Sequence, residues 1–174
     1  AKLADLKLPA HQVFRSFPFQ LSGGMRQRAA LALALILHPR LLIADEPTSF
    51  LDVTLQRQIL AEFQKQLSEC CLSLIFITHD IAVAANLADR VAVMYGGRVV
   101  EYGTLKEVFS NPIQPYTGAL LKSHPAFSRG LRLQPINGTA PDPEQLTKGC
   151  PLQPRCKHAV AICSEAAPQL AAIQ

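Results

Sequence analysis

An α/β fold with a parallel sheet at its core is what the sequence predicts, and three observations carry that expectation. Two short apolar runs, LLIADEP at 41–47 and LSLIFITHD at 72–80, each end in charged or polar residues. Runs of this length and composition read as strands buried on both faces. Between them Leu55, Ile59, Leu60, Phe63 and Leu67 recur at helical spacing with polar residues opposite, the pattern of an amphipathic helix. Strand, helix, strand in that order predicts two parallel strands joined by a right-handed crossover.

The other elements follow in order. MRQRAALALALIL at 25–37 has no β-branched residue before Ile36 and stops at His38-Pro39, which predicts a buried helix ended by the proline. A second helix is expected over 81–88. RVAVMYGGRVVEYG then reads as a hairpin turning at Gly96 and Gly97. TLKEVFSN, after Gly103, predicts a short helix. From Pro112 prolines become frequent and regular structure thins to one expected helix over 116–122. A boundary near residue 111 separates an α/β part, 1–111, from a tail subdomain, 112–174.

At 174 residues, 49% apolar and 17% charged, the chain is long and greasy enough for one domain with an aliphatic core and an appendage. Its net charge of +4 is scattered, which argues against a nucleic-acid partner. The most apolar run, Ala29 to Leu37, lies between Arg28 and His38, whereas a spanning helix needs roughly 20 apolar residues. The first residues lack the core of a secretory signal and start without methionine, so a truncated start is expected. Five cysteines, Cys70, Cys71, Cys150, Cys156 and Cys163, lack the framework of a secreted scaffold and fit a reducing cytosol.

In an open parallel sheet, ligands bind beyond the carboxyl ends of the strands, where Asp45, Glu46, His79 and Asp80 fall. Two adjacent acids there suit nucleotide hydrolysis: Asp45 holds Mg²⁺, Glu46 polarises the attacking water, and His79 bonds the terminal phosphate. Ser22, Gly23 and Gly24 precede the Ala/Leu helix, so Ser22 caps it and the glycines open its amide groups to an anion. Each motif alone has a blander reading, a solvated strand end or ordinary turn chemistry. Their combination favours the site.

LSGGMRQR at 21–28, LLIADEPTSFLD at 41–52 and ITHD at 77–80 resemble the ATP-binding cassette family in order, spacing and wording. The resemblance implies a partial nucleotide-binding domain related to P-loop NTPases. It makes Leu21 to Met25 the signature loop, Asp45 the Walker B magnesium residue, Glu46 the catalytic base, Ser49 to Asp52 the D-loop and His79 the switch histidine. Ser22, Gly23, Gly24 and Asp52 would then touch ATP held by a partner subunit. Met25 and Phe50 depart from the usual residues, and Phe50 would crowd the D-loop. None of the nine glycines begins a G-x-x-x-x-G-K-S/T loop, so the phosphate cradle, like the glutamine loop, has to come from elsewhere.

VFSNPIQPYTGALLKSHP at 108–125 and GCPLQPRCKHAVAIC at 149–163 resemble the C-terminal extension of ATPases serving oligopeptide and dipeptide importers. In some members the cysteines matching Cys150, Cys156 and Cys163 are associated with a 4Fe-4S cluster completed by a later cysteine. By the residues themselves, a cluster and buried structural thiols stay equally open, since the spacing is wider than that of ordinary zinc pairs. The resemblance implies ATP and Mg²⁺ as ligands, and a second cassette subunit, transmembrane permease subunits and an extracytoplasmic solute-binding protein as partners. It also implies a peripheral place on the cytoplasmic face of the inner membrane. A nickel or other small-solute importer is the close variant, and a fragment that only docks on partners is the non-catalytic one. A cassette ATPase of DNA repair is disfavoured, because no heptad coiled coil interrupts the motifs.

Overall fold

The computed structural model describes residues 2–49, 51–69, 72–127, 132–142 and 148–172. Phe50, Cys70 and Cys71 therefore lie outside the described residues. The chain divides into two compact units, 1–87 and 88–174, each built on its own pair of strands.

In the first unit, short helices α1 (Lys2–Asp5) and α2 (Ala10–Arg15) lead to α3 (Gly23–Leu35), strand β1 (Leu41–Asp45), helix α4 (Val53–Glu69), strand β2 (Ser73–Ile77) and helix α5 (Ile81–Leu87). The two strands pair in parallel, from Leu41 opposite Ser73 to Asp45 opposite Ile77, as the strand, helix, strand order requires. Helix α4 turns Ile59 and Phe63 inward, where the Phe63 ring meets Phe76 of β2 edge-on at 5.6 Å. Together with Leu6, Leu31, Ala32, Leu35, Leu42, Ala44 and Leu72 they form the core. Each leucine, isoleucine or phenylalanine side chain of this size contributes roughly 1.5–3 kcal/mol when fully buried.

Two expectations change here. The strands are not buried on both faces: Leu42 and Ala44 are covered, whereas Ile43 is 62% and Ile75 49% exposed. Among the described residues the core gathers on the Leu42/Ala44 face only. Helix α3 is likewise not buried all round. Gly24, Leu31, Ala32 and Leu35 face inward, but Leu33 is 71% and Leu37 87% exposed. Apolar sequence on every side of a helix or strand states what the element tolerates, and the neighbours present decide which side is covered.

The second unit opens with the antiparallel hairpin β3 (Arg90–Tyr95) and β4 (Arg98–Thr104). Gly96 and Gly97 form its turn with φ of 55° and 73°, the left-handed pair that a two-residue hairpin demands. Helix α6 (Leu105–Ser110) starts with a capping box between Thr104 and Glu107, and α7 (Pro115–Ser123) follows. Among the described residues beyond α7 there are only short 3-10 turns, at Gln153–Arg155 and Ala161–Ser164. The Arg155 guanidinium ties this stretch down, donating to Tyr95 Oη (3.0 Å), Asn137 O (2.8 Å) and Ile136 O (3.2 Å). No helix among the described residues is long and apolar enough to cross a membrane.

Candidate functional site

Strand β1 ends at Asp45, and Glu46 is the first residue beyond it. Its backbone N–H still bonds Ile77 O of β2 (3.0 Å), holding it at the strand edge. The chain then bends sharply: Glu46 adopts φ 45°, a left-handed conformation that costs a non-glycine residue about 1–2 kcal/mol. Ser49 N–H closes the bend on Glu46 O (3.2 Å). Strain at a carboxylate of this kind persists where surrounding bonds over-determine it.

Those bonds converge on the Glu46 carboxylate. Ser49 Oγ donates to Oε2 at 2.6 Å. On the other oxygen, Oε1, His79 N–H lies at 3.1 Å and His79 Nδ1 at 2.8 Å. The Ser49 hydroxyl, followed by the His79 ring, holds Glu46 below the usual carboxylate range, and the bond to Glu46 pushes His79 above its ordinary value. The pair is open to solvent, the His79 side chain being 79% exposed. Next to it, Asp80 Oδ1 accepts from Ala82 and Val83 N–H and so starts α5, while Oδ2 accepts from Gln56 of α4 at 3.4 Å.

Two clefts meet at Glu46. One, of about 330 Å³, is walled by Glu46, Ser49, Gln56, Thr78, His79 and Asp80. The other, of about 290 Å³, runs over Asp45, Glu46 and Gln27 into the apolar core. Asp45 and Glu46 are hard oxygen donors side by side at a strand end, a donor set that fits Mg²⁺. No lysine or arginine lines either cleft. The residues fit the metal and the attacking water; the charge of a triphosphate needs cations from outside these walls.

Glu46 and His79 are thus brought together, with Asp45 beside them. Ser22, Gly23 and Gly24 line neither cleft. Ser22 caps α3, accepting from Met25 N–H at 3.3 Å, and the loop packs on the start of α4: a Cβ on Gly23 would stand 3.6 Å from Leu51, and one on Gly24 2.5 Å from Leu55. Asp52 lines neither cleft and caps α4, its Oδ1 accepting from Leu55 N–H at 3.0 Å. The glycine loop therefore packs on Leu51 and Leu55 at the start of α4, while Ser49 and Leu51 line the cleft beside Glu46 and His79.

Of the two readings left open for Cys150, Cys156 and Cys163, the described residues give the cluster no support. All three are free thiols, half-buried, and among the described residues no three Cys, His, Asp or Glu side chains are gathered to hold a metal. Cys150 N–H bonds Cys163 O at 2.8 Å, a backbone link, and Cys156 Sγ accepts from His158 N–H at 3.4 Å. Gly149 sits so tightly on Cys163 and Ser164 that a Cβ would come within 2.6 Å of the Cys163 carbonyl. These cysteines stitch the tail through their backbones. Sequence reading also missed the Ser49 bond to Glu46, although a three-residue spacing across Pro47-Thr48 is the length of one tight turn.

Comparison with known proteins agrees with this arrangement. The family model described as ABC transporter matches residues 1–49, and that described as Oligopeptide/dipeptide transporter, C-terminal region, matches residues 100–163. A Brucella ovis protein assigned as a peptide import ATP-binding protein is 51% identical over 164 residues, covering 90% of this chain and 48% of that protein. The oligopeptide transport ATP-binding protein OppD of Salmonella typhimurium is 46% identical over 168 residues, covering 95% and 50%. The chain spans about half the length of the curated relatives it matches. Among solved structures, a component of the cbiONQ ABC transporter complex of Clostridium perfringens superposes with TM-score 0.55 at 33% identity, over 63% of this chain and 43% of that one. With the acid pair, the capped glycine loop and the tail each matched in order, the chain belongs to the ATP-binding cassette transporter family and carries its oligopeptide/dipeptide C-terminal region.

Proposed function

We propose that this chain is part of an ATP-hydrolysing subunit that energises import of oligopeptides or dipeptides. The observation that carries the reading is the Glu46–His79 pair at the strand edge, 2.8 Å apart. Glu46 accepts a proton from the attacking water, its carboxylate kept ionised by Ser49 and His79. His79, on the end of a different strand, is exposed enough to leave Glu46 and bond a phosphate oxygen. Asp45 is the residue that would hold Mg²⁺. Bound Mg²⁺ and ATP supply the phosphoryl group and the charge that neutralises it.

Ser22, Gly23 and Gly24 present the amide end of α3, with Asp52 on the neighbouring cap, to ATP seated on a second cassette subunit. Support comes from the packing of this loop on the start of α4, with Ser22, Gly23, Gly24 and Asp52 outside both clefts at the chain's own acid pair. Residues 1–111 form the cassette part and 112–174 the extension specific to peptide importers. The partners on this reading are a second cassette subunit, transmembrane permease subunits and, through them, an extracytoplasmic solute-binding protein. That places the chain peripherally on the cytoplasmic face of the membrane. The names of the matched relatives support peptides as the imported solute.

The test is coupling. In vesicles carrying the assembled transporter with its binding protein, ATP hydrolysis should rise when oligopeptide or dipeptide is added, and peptide should accumulate. Hydrolysis indifferent to peptides but stimulated by a metal ion such as nickel would move the assignment to another solute.

A further inference from the structure

Three bonds fall on one carboxylate, and they are not equivalent. Two reach Glu46 Oε1 from His79, which belongs to the β2 end and is largely in solvent. The third reaches Oε2 from Ser49 at 2.6 Å. Ser49 belongs to the same tight bend as Glu46, closed by its own N–H on Glu46 O. Departure of the imidazole leaves Oε1 only the His79 N–H, and movement of the β2 end frees it altogether, but Oε2 stays bonded in both cases because the Ser49 donor travels with the acid.

We propose that Ser49 is a positioning residue for hydrolysis, its hydroxyl fixing the plane of the Glu46 carboxylate so that Oε1 faces the water once His79 lets go. This rests on the reading of Glu46 as the base. A glutamate has three rotatable side-chain torsions, and here the backbone beneath it is in a left-handed conformation. Without Ser49, Oε2 keeps no hydrogen bond among the described residues. The carboxylate then samples several orientations whenever His79 is engaged elsewhere, and a base spread over orientations loses rate without losing nucleotide affinity.

The experiment compares Ser49→Ala, Ser49→Thr and Glu46→Gln in the assembled transporter. Ser49→Ala is expected to lower kcat for ATP by about tenfold, the size of one hydrogen bond, with KM unchanged. Ser49→Thr, which keeps a hydroxyl on the same turn, should recover most of the loss. A second readout needs no turnover: in crystals of nucleotide-free protein carrying His79→Ala, which removes the imidazole from Oε1, the Glu46 side chain should hold one rotamer with Ser49 or Thr and spread over two or more with Ala. Unchanged kcat in Ser49→Ala, equal loss in Ser49→Thr, or a single Glu46 rotamer when Ser49→Ala is combined with His79→Ala overturns the proposal. Normal turnover by Glu46→Gln removes the base itself, and the proposal with it; loss there with no effect at Ser49 removes only the proposal.

Discussion

Leu55 fills the space that a side chain on Gly24 would need: a Cβ there would lie 2.5 Å from Leu55 Cδ2 and 2.9 Å from its Cγ. Gly24 is therefore a packing residue within its own unit, buried in the first turn of α3. It lets the first turn of α3 sit directly on the first turn of α4. Gly24→Ala is expected to cost about 1–3 kcal/mol of stability through overpacking, read by chemical denaturation. Leu55→Ala in the same background should relieve part of that cost, and strict additivity of the two changes would argue against the contact.

Asp52 holds the beginning of α4 through its bond to Leu55 N–H. Asp52→Ala should destabilise the protein by about 1 kcal/mol, and Asp52→Asn or Asp52→Ser by less, since both are good caps. Equal loss in all three variants would point to a role for the charge beyond capping.

In the second unit, Arg155 donates to one side-chain oxygen and two backbone oxygens, and Gly138, at φ 78°, packs against its side chain. Bonds from a charged donor are worth about 1.5–3 kcal/mol. Arg155→Met, which keeps the aliphatic stem, should lower stability by about that amount and raise amide exchange over residues 136–138. Unaltered exchange there would show that the tail is held by other contacts.

The Thr104/Glu107 box gives a pH signature. Bonds from Thr104 hold Glu107 below the usual glutamate value, so the folded state binds the Glu107 proton less tightly than the unfolded chain. The stabilisation is full above the unfolded value and is lost as pH falls through the lower, folded one. Fraying of α6 at acid pH, measured by amide exchange, should follow that titration. In Glu107→Gln the fraying should be independent of pH over the same range.

Much of this was legible in residue order. The parallel pairing of 41–45 with 73–77, the cap at Ser22 and the hairpin turn at Gly96-Gly97 follow from local chemistry, and the structure has each of them. So does the meeting of Glu46 with His79, because strand ends in a parallel pair lie on one edge. What periodicity does not encode is coverage: Ile43, Ile75, Leu33 and Leu37 are apolar yet open. Nor does spacing encode direction. By spacing Cys150, Cys156 and Cys163 fit ligands and structural thiols alike, and the fold joins Cys150 and Cys163 through backbone atoms. Nor does the Ser-Gly-Gly motif show that Leu55 packs directly on Gly24.

Everything proposed for the site depends on Glu46 being the proton acceptor. The direct measurement is Glu46→Gln in the assembled transporter, following bound nucleotide and released phosphate together. Nucleotide retained as ATP, with phosphate release reduced at least a hundredfold, is the expected result. Phosphate release at the wild-type rate would contradict the account.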